Sequence, residues 1–142
     1  MSKIFFDTNI LLDILLPSRH NHIKALEVYV SICDHYDTLA TSENILTTIE
    51  YIANKNGTSC EIIGRFFMAL EENFELYGFA DILHDSLKIY SDAHSEEKKI
   101  DFEDLLQLQC AIQHGCTTFI TQNKGIQKLD VAIEVCSLEA VL

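Results

Sequence analysis

Proline and glycine are scarce in this sequence. One proline and five glycines occur in 142 residues, whereas linkers and low-complexity tails are rich in such residues. Hydrophobic residues make up 48% of the chain, which is enough to build one well-buried core. The length falls within the roughly 100–200 residues of a typical domain. We therefore predict a single domain over residues 1–142.

Long apolar runs are also missing. The opening MSKIFFDTNILLDILL contains two short apolar pieces, interrupted by Asp7, Asn9 and Asp13. A signal peptide needs an unbroken apolar stretch, and a membrane span needs about 20 apolar residues. We therefore expect a cytosolic, cytoplasmic protein with no membrane partner.

Cysteine is present without the spacing of a metal site. The five cysteines form no CxxC pair, and no histidine lies at zinc-finger spacing beside them. Their number is odd and their flanks are apolar, which is typical of small core residues in a reducing compartment. We predict that role for them.

Cations are few. Ten Lys and Arg oppose 22 Asp and Glu, and the formal net charge is −12. Proteins that coat nucleic acid carry basic surfaces, because phosphate neutralisation supplies much of their affinity. The charge speaks against such a protein but not against an enzyme that binds a few phosphates through a metal, because a bound divalent cation inverts the local field. An acidic surface also favours a basic protein partner.

Predicted strands and helices alternate along the chain. Short apolar runs predict strands over residues 3–6, 38–41, 74–79, 117–121 and 132–136. Helical spacing and capping residues predict helices over residues 8–16, 22–35, 42–56, 59–73, 80–94 and 101–115, with a solvated loop at 96–99. Because crossover helices cover both faces of a parallel sheet, this alternation predicts an α/β fold: a three-layer α/β/α sandwich with a five-stranded, mostly parallel sheet.

Two of the predicted helices carry apolar stripes. The helix over residues 22–35 has four apolar residues at helical spacing: Ile23, Leu26, Val30 and Cys33. The helix over residues 59–73 has a wide apolar face. Such faces could contact a protein partner or a second copy in a homodimer, and they could equally be ordinary core.

Acidic side chains follow the ends of the predicted strands. Asp7 follows the first strand, and Asp101 and Asp104 open the helix that leads into the fourth. Ligands of parallel sheets bind outside the carboxyl ends of the strands, and residues three apart on a helix share a face. Carboxylate oxygens favour Mg²⁺ or Mn²⁺ over zinc. The sequence therefore predicts a divalent metal site.

Each acid also has a simpler interpretation. Asp101 alone could be a helix cap, and Asp7 alone could be a loop acid. The helix dipole favours Asp104 in a first turn without any ligand. Asp13, almost two turns beyond Asp7, is interpreted as a surface acid.

Two motifs together are more specific than these single residues. FFDTNILLDILL resembles the N-terminal motif of PIN domains, in which a strand delivers an Asp followed by Thr and Asn. DFEDLLQLQCAIQHGCTTFITQN is similar to the later motif, in which a helix carries an acidic pair and the next strand ends at Thr-x-Asn. The resemblance covers essentially the whole chain and is closest to bacterial PIN proteins related to VapC-type toxins of toxin–antitoxin pairs.

The resemblance implies a five-stranded parallel sheet and a Mg²⁺- or Mn²⁺-dependent endoribonuclease. Its metal ligands would be Asp7, Asp104 and Asp101. The residues expected to position the site or bind substrate are Thr8, Asn9, Thr121, Asn123 and Lys124. Arg19 and Lys128 are further candidate phosphate contacts, chosen for their place near the proposed site. The implied partners are an RNA substrate and an antitoxin protein, and we also expect a homodimer.

The sequence departs from the family pattern in two places. The family usually has an acid early in the helix after the second strand, where this chain has Thr48. Glu43 and Glu50 flank that position, and we take Glu50 as a catalytic candidate while Glu43 stays open. The family also often has Asp three residues after the asparagine of Thr-x-Asn, where this chain has Ile126.

The leading hypothesis is hydrolysis of an RNA phosphodiester by a metal-activated water. A haloacid-dehalogenase-type phosphatase also begins with an Asp after the first strand, but it needs a second Asp two residues on, where this chain has Asn9. The incomplete acidic set keeps open a third hypothesis, a non-catalytic PIN-like module that binds RNA or protein. A metal-binding titration separates it from the enzyme.

Overall fold

The five predicted strands form one parallel sheet in the computed structural model of the chain, which describes residues 2–35, 37–79, 82–95 and 100–141. The strands are β1 (Lys3–Phe6), β2 (Thr38–Ser42), β3 (Phe74–Tyr77), β4 (Thr118–Ile120) and β5 (Glu134–Cys136). Their order across the sheet is β3-β2-β1-β4-β5, and every neighbouring pair is parallel. The predicted fold class is confirmed.

Helices connect the strands and cover both faces of the sheet. Those in the described ranges are α1 (Thr8–Leu15), α2 (His22–Asp34), α3 (Leu46–Lys55), α4 (Cys60–Asn73), α5 (Leu83–Ser95), α6 (Phe102–Gln113), α7 (Lys124–Gln127) and α8 (Leu138–Val141). None of them is long and apolar enough to cross a membrane. Residues 80–81, where a helix was predicted to begin, and the predicted loop 96–99 lie outside the described residues.

Two details of the helices differ from the sequence prediction. The helix predicted from Ser42 begins with a separate 3₁₀ turn (Glu43–Ile45), because the Ser42 hydroxyl accepts a hydrogen bond from the Asn44 backbone N–H at 3.0 Å and tightens the chain there. The four-residue helices α7 and α8 were not predicted, since one turn is too short to show a helical period.

The strand order places a topological switch point between β1 and β4. From β1 the chain builds outward through β2 and β3, then returns to add β4 and β5 on the other side. Phe6 pairs with Ile120, so β1 and β4 end side by side. In open parallel sheets the loops diverge at such a point and leave a crevice, where ligands bind.

The sheet separates two hydrophobic clusters. Phe6 packs on the face covered by α1 to α4, together with Leu11, Ile49 and Leu70. Phe5, one residue earlier, points to the opposite face and stacks on Phe119, with a centroid distance of 5.5 Å. Because successive side chains of a strand alternate between faces, β1 supplies both clusters. The clusters lie under the switch point and support it from both sides.

Several apolar side chains lie outside these clusters. Helix α2 buries Ala25, Val28 and Ile32, whereas Ile23 and Val30 of the predicted stripe are 65% and 54% exposed. Helix α4 likewise exposes two large side chains, Ile62 and Met68.

The cysteine prediction is correct only in part. Cys110 and Cys116 are buried and Cys136 is half-buried, but Cys33 and Cys60 are exposed. Cys33 lies on the solvent side of α2, and Cys60 is the first residue of α4. Local apolar flanks did not reveal which side of a helix faces the sheet.

Candidate functional site

Asp7 lies at the switch point, directly after β1, and is fully buried. It is the N-cap of α1: its Oδ1 accepts a hydrogen bond from the Thr8 backbone N–H at 2.8 Å. Its Oδ2 accepts a hydrogen bond from the Thr121 hydroxyl at 2.7 Å. The Asp7 backbone N–H donates to the Ile120 carbonyl at 3.1 Å, which ties the residue to the end of β4. The carboxylate is therefore held from both strands.

Asp104 is the second buried carboxylate of the site. It lies in the first turn of α6 with 6% of its surface exposed. Its Oδ2 accepts a hydrogen bond from the Asn123 side-chain amide at 2.6 Å. The backbone N–H of Asn123 donates to the Thr121 hydroxyl oxygen at 3.0 Å. Thr121 and Asn123 thus join the two carboxylates through hydrogen bonds.

The two carboxylates are electrostatically unfavourable neighbours. Burial and, second, the charge of Asp104 raise the pKa of Asp7 to about 8, against the opposing effect of the hydrogen bonds from Thr121 and Thr8. Burial also raises the pKa of Asp104, the hydrogen bond from Asn123 opposes this, and the charge of Asp101 adds to it. Without a cation, the site resists carrying both charges. Such perturbed carboxyl groups in a crevice are typical of functional sites.

Asp101 is nearby but is differently placed. It is exposed, and its Oδ1 caps α6 by accepting a hydrogen bond from the Asp104 backbone N–H at 3.1 Å. Among the residues that the structure describes, no three His, Cys, Asp or Glu side chains are grouped closely enough to hold a metal ion. The structure therefore brings together two of the three predicted metal ligands, Asp7 and Asp104, with Asp101 as the cap beside them.

Glu103 is an acid that sequence analysis did not consider. Its charge raises the pKa of both Asp7 and Asp104. It shares the first turn of α6 with Asp104 and is half-buried. The sequence feature that could have identified Glu103 is its position directly before Asp104, a predicted metal ligand.

The two candidates for the missing family acid occupy different places. Glu50 is exposed in the middle of α3. Glu43 follows β2 directly, at the carboxyl edge of the sheet. Its Oε1 lies beside Gly78, 3.3 Å from the position that a Cβ atom would occupy there. Within residues 2–35, 37–79, 82–95 and 100–141, no hydrogen bond joins either glutamate to Asp7 or Asp104. Ile126 is fully buried, so the second missing acid is replaced by a core residue.

The remaining predicted residues surround the acid pair. Thr8 is buried, and Asn9 is exposed in the first turn of α1. Lys124 is exposed at the start of α7, which Asn123 caps through hydrogen bonds to the backbone of Gly125 and Ile126. The interpretation of Asp13 as a surface acid is wrong: only 4% of it is exposed, and it forms an ion pair with Arg19 at 2.6 Å.

The donor set fits a hard divalent cation. Two carboxylates and an amide oxygen or water are the ligands that Mg²⁺ prefers, since it commonly uses one or two carboxylates and completes its shell with water and substrate phosphate. Two further oxygens in this region, Thr8 Oγ1 and Gln107 Oε1, are buried with no hydrogen-bond partner among the described residues. Gln107 follows Asp104 by one turn of α6. Buried oxygen atoms without a partner therefore lie on α1 and α6, the helices that also hold Asp7 and Asp104.

A parallel sheet with a buried carboxylate pair at its switch point defines an α/β protein with an acidic site between its two central strands. The chain belongs to the PIN domain family, whose pattern matches residues 4–132. It is 24% identical over 136 residues to Ribonuclease VapC1 of Aquifex aeolicus strain VF5, covering 92% of this chain and 88% of that protein.

Solved structures share the fold. The VapC20 toxin of Mycobacterium tuberculosis, described as cleaving the sarcin-ricin loop, superposes with a TM-score of 0.72 at 14% identity, over 92% of this chain and 98% of that one. VapBC2 of Rickettsia felis, solved with a DNA fragment from its promoter, gives a TM-score of 0.70 at 18% identity, over 95% and 98%. At these identities the likeness shows the fold.

Proposed function

We propose that the protein is a metal-dependent endoribonuclease that hydrolyses phosphodiester bonds of RNA. The observation that carries the proposal is the buried pair Asp7 and Asp104, joined through Thr121 and Asn123 at the switch point of the sheet. Membership of the PIN domain family and the likeness to Ribonuclease VapC1 support this function over other phosphate chemistry.

The cofactor we propose is Mg²⁺ or Mn²⁺, held by Asp7 and Asp104 with Asp101 beside them. When bound, such an ion polarises a phosphoryl oxygen and lowers the pKa of a bound water toward neutrality. The raised pKa of Asp7 supports the proposal, because a carboxyl that resists ionising alone gains its charge where a cation neutralises the site. Glu43 or Glu50 would supply a further carboxylate.

The surrounding side chains have separate tasks in this proposal. Thr121 donates its hydroxyl to one oxygen of Asp7 and so fixes the orientation of that carboxylate. Asn123 does the same for Asp104 through its side-chain amide N–H, while its Oδ1 accepts hydrogen bonds from the backbone N–H groups of Gly125 and Ile126. Thr8 and Asn9 form the first turn after Asp7, and Lys124, exposed at the start of α7, would contact a substrate phosphate.

Cleavage of a mixed-sequence RNA with Mg²⁺, Mn²⁺ or EDTA tests the proposal. We expect metal-dependent products from the wild type and a loss of at least about a hundredfold in Asp104→Asn, because the variant removes charge needed for the metal. Asp92→Asn, an exposed acid on α5, is the matched control and should cleave normally. Folded wild-type protein that cleaves no RNA under any of these conditions would contradict the nuclease proposal.

A cellular role as the toxin of a toxin–antitoxin pair is the finer form of this proposal. Support comes from solved neighbours such as the VapBC2 complex of Rickettsia felis and VapBC-1 of Haemophilus influenzae. We therefore propose a cytoplasmic protein with an antitoxin partner and a homodimeric assembly. If the role is correct, expression of this protein should arrest growth, and co-expression with the product of an adjacent small gene should relieve that arrest. Sedimentation measures whether the protein is a dimer.

The non-catalytic PIN-like module remains the second candidate. One observation favours it: among the described residues, no three His, Cys, Asp or Glu side chains lie close enough together to hold a metal ion. A titration with Mn²⁺ followed by thermal unfolding distinguishes the two. Stabilisation by the ion that is lost in Asp104→Asn supports the enzyme, and no stabilisation supports the module.

A further inference from the structure

A second polar cluster lies along α1, outside the acid pair. The Asp13 side chain is almost fully buried, and its Oδ1 accepts a hydrogen bond from Arg19 Nε at 2.6 Å. The Nη2 of the same guanidinium donates to Asn9 Oδ1 at 3.3 Å. The His22 ring donates from Nδ1 to the backbone carbonyl of Asp13 at 2.7 Å. These four residues define what we call the α1 clamp.

The α1 clamp brings the Arg19 guanidinium back along α1 to the first turn of the helix. Asn9 and Asp13 are four residues apart and so share one face of α1, about 6 Å apart along its axis. Arg19 follows the end of α1, yet its guanidinium spans from Asp13 to Asn9 in the first turn. That turn is the one capped by Asp7. Arg19 therefore places its charge at the end of the helix where the candidate site lies.

The backbone of the connection after α1 holds Arg19 in this place. Its N–H donates to the Leu16 carbonyl at 3.1 Å, and its own carbonyl accepts from the His22 N–H at 3.1 Å. The side chain is anchored by a carboxylate with 5% of its surface exposed, so the ion pair is shielded from solvent on that side. Because Arg19 is held both by its backbone hydrogen bonds and by its ion pair, its side chain loses little further conformational freedom when it binds a ligand.

Arg19 still has donors to offer. A guanidinium carries five N–H groups, and the contacts above use Nε and Nη2. The Arg19 side chain is 31% exposed, so part of it is accessible from solvent. Arginine binds phosphate oxygens in a forked geometry and keeps its charge at any working pH. In a chain with a net charge of −12, a fixed cation at the first turn of α1, the helix that Asp7 caps, is suited to an anionic substrate.

We propose that Arg19, oriented by Asp13 and Asn9, binds a phosphate of the RNA strand next to the bond that is cut. This inference rests on the proposed function and adds a substrate-binding residue to it. The guanidinium contacts the substrate backbone and takes no part in the chemical step, so it should govern substrate binding and leave the turnover of bound substrate unchanged.

The test compares Arg19→Gln with Arg65→Gln. Arg65 is the other arginine of the chain, and it pairs with Glu61 at 2.5 Å on the exposed face of α4. We expect Arg19→Gln to raise KM for a short single-stranded RNA about tenfold with kcat within about twofold, the effect of one charged hydrogen-bonding contact. The salt dependence of kcat/KM should weaken by about 0.7 in logarithmic slope, the value for one phosphate contact on a single strand. Arg65→Gln should match the wild type.

Binding of the same RNA, measured by fluorescence anisotropy in EDTA, makes the inference independent of cleavage. Unchanged affinity and salt slope in Arg19→Gln would overturn it, as would an equal loss in Arg65→Gln. If the wild type cleaves nothing but Arg19→Gln still weakens binding, the nuclease proposal fails and the phosphate contact stands. Arg19→Gln leaves the buried Asp13 carboxylate without its ion-pair partner. If that variant unfolds, the double variant Asp13→Asn/Arg19→Gln replaces it in the test, because it removes the cation without leaving a buried unpaired charge.

Discussion

The raised pKa of Asp7 predicts that this residue destabilises the metal-free protein increasingly as the pH rises from 3.8 to about 8. Its carboxyl has a pKa of about 8 in the folded chain, against an ordinary value of 3.8. Between these values the folded chain holds a proton that the unfolded chain has released, so the free energy of unfolding falls as the pH rises. The fully neutral variant Asp7→Asn escapes this loss.

The size of the effect follows from the pKa difference. Each pH unit between the two pKa values lowers the free energy of unfolding by about 1.4 kcal/mol. Over the interval from 3.8 to about 8 this amounts to on the order of 5 kcal/mol. The Asn side chain can still cap Thr8 through its Oδ1 and can donate from its amide to the Thr121 hydroxyl, so the packing of the site is kept. Asp7→Asn should therefore be several kcal/mol more stable than the wild type at pH 8.

Urea unfolding followed by circular dichroism, in EDTA at a series of pH values from 5 to 8, measures this difference. The advantage of Asp7→Asn should shrink to about 1–2 kcal/mol at pH 5, where little of the interval above 3.8 has been crossed. Asp92→Asn, exposed on α5, should show no such trend. A stability difference that does not change with pH, or an Asp7→Asn protein less stable than the wild type at pH 8, would refute the reasoning.

Three further predictions concern single substitutions. Ile126→Asp, which restores a family acid at a fully buried position, should lower the free energy of unfolding by about 3–5 kcal/mol in urea titrations, whereas a loss under 1 kcal/mol would show that the site is open to solvent. Gly115→Ala should cost about 1 kcal/mol of stability by calorimetry, because Gly115 follows the C-cap of α6 with a φ of 71°; an equal or higher melting temperature would contradict this. Glu43→Gln should slow RNA cleavage about tenfold and Glu50→Gln less than about twofold, since only Glu43 lies at the carboxyl edge of the sheet; the reverse order would assign the role to Glu50.

The elements that carry the candidate site could be predicted from local sequence. Asp7 follows a short apolar run and precedes a helical pattern, and this is how β1, its end and α1 are arranged. Asp101 and Asp104 have the spacing of a helix cap and its third residue, and the Asp101 carboxylate does cap α6. Such features depend on the backbone within a few residues, so a single sequence contains them.

The sides on which helices are buried could not be predicted in the same way. The stripe containing Ile23 and Val30 has helical spacing, yet α2 buries the neighbouring stripe of Ala25, Val28 and Ile32. Asp13 looked like a surface acid, because its ion pair depends on how the chain turns after α1 to bring Arg19 back. Periodicity describes one helix, whereas burial depends on what packs against it.

The sequence by itself determined the order and type of the main elements and the acids at the strand ends. Only the tertiary structure decided that Asp7 meets Thr121, 114 residues later, through the pairing of Phe6 with Ile120 in neighbouring parallel strands. It also decided that Asn123 reaches Asp104 and that Ile126 fills the core in place of an acid. The physical reason is that sheet order and register arise from contacts between distant segments, which no local pattern encodes.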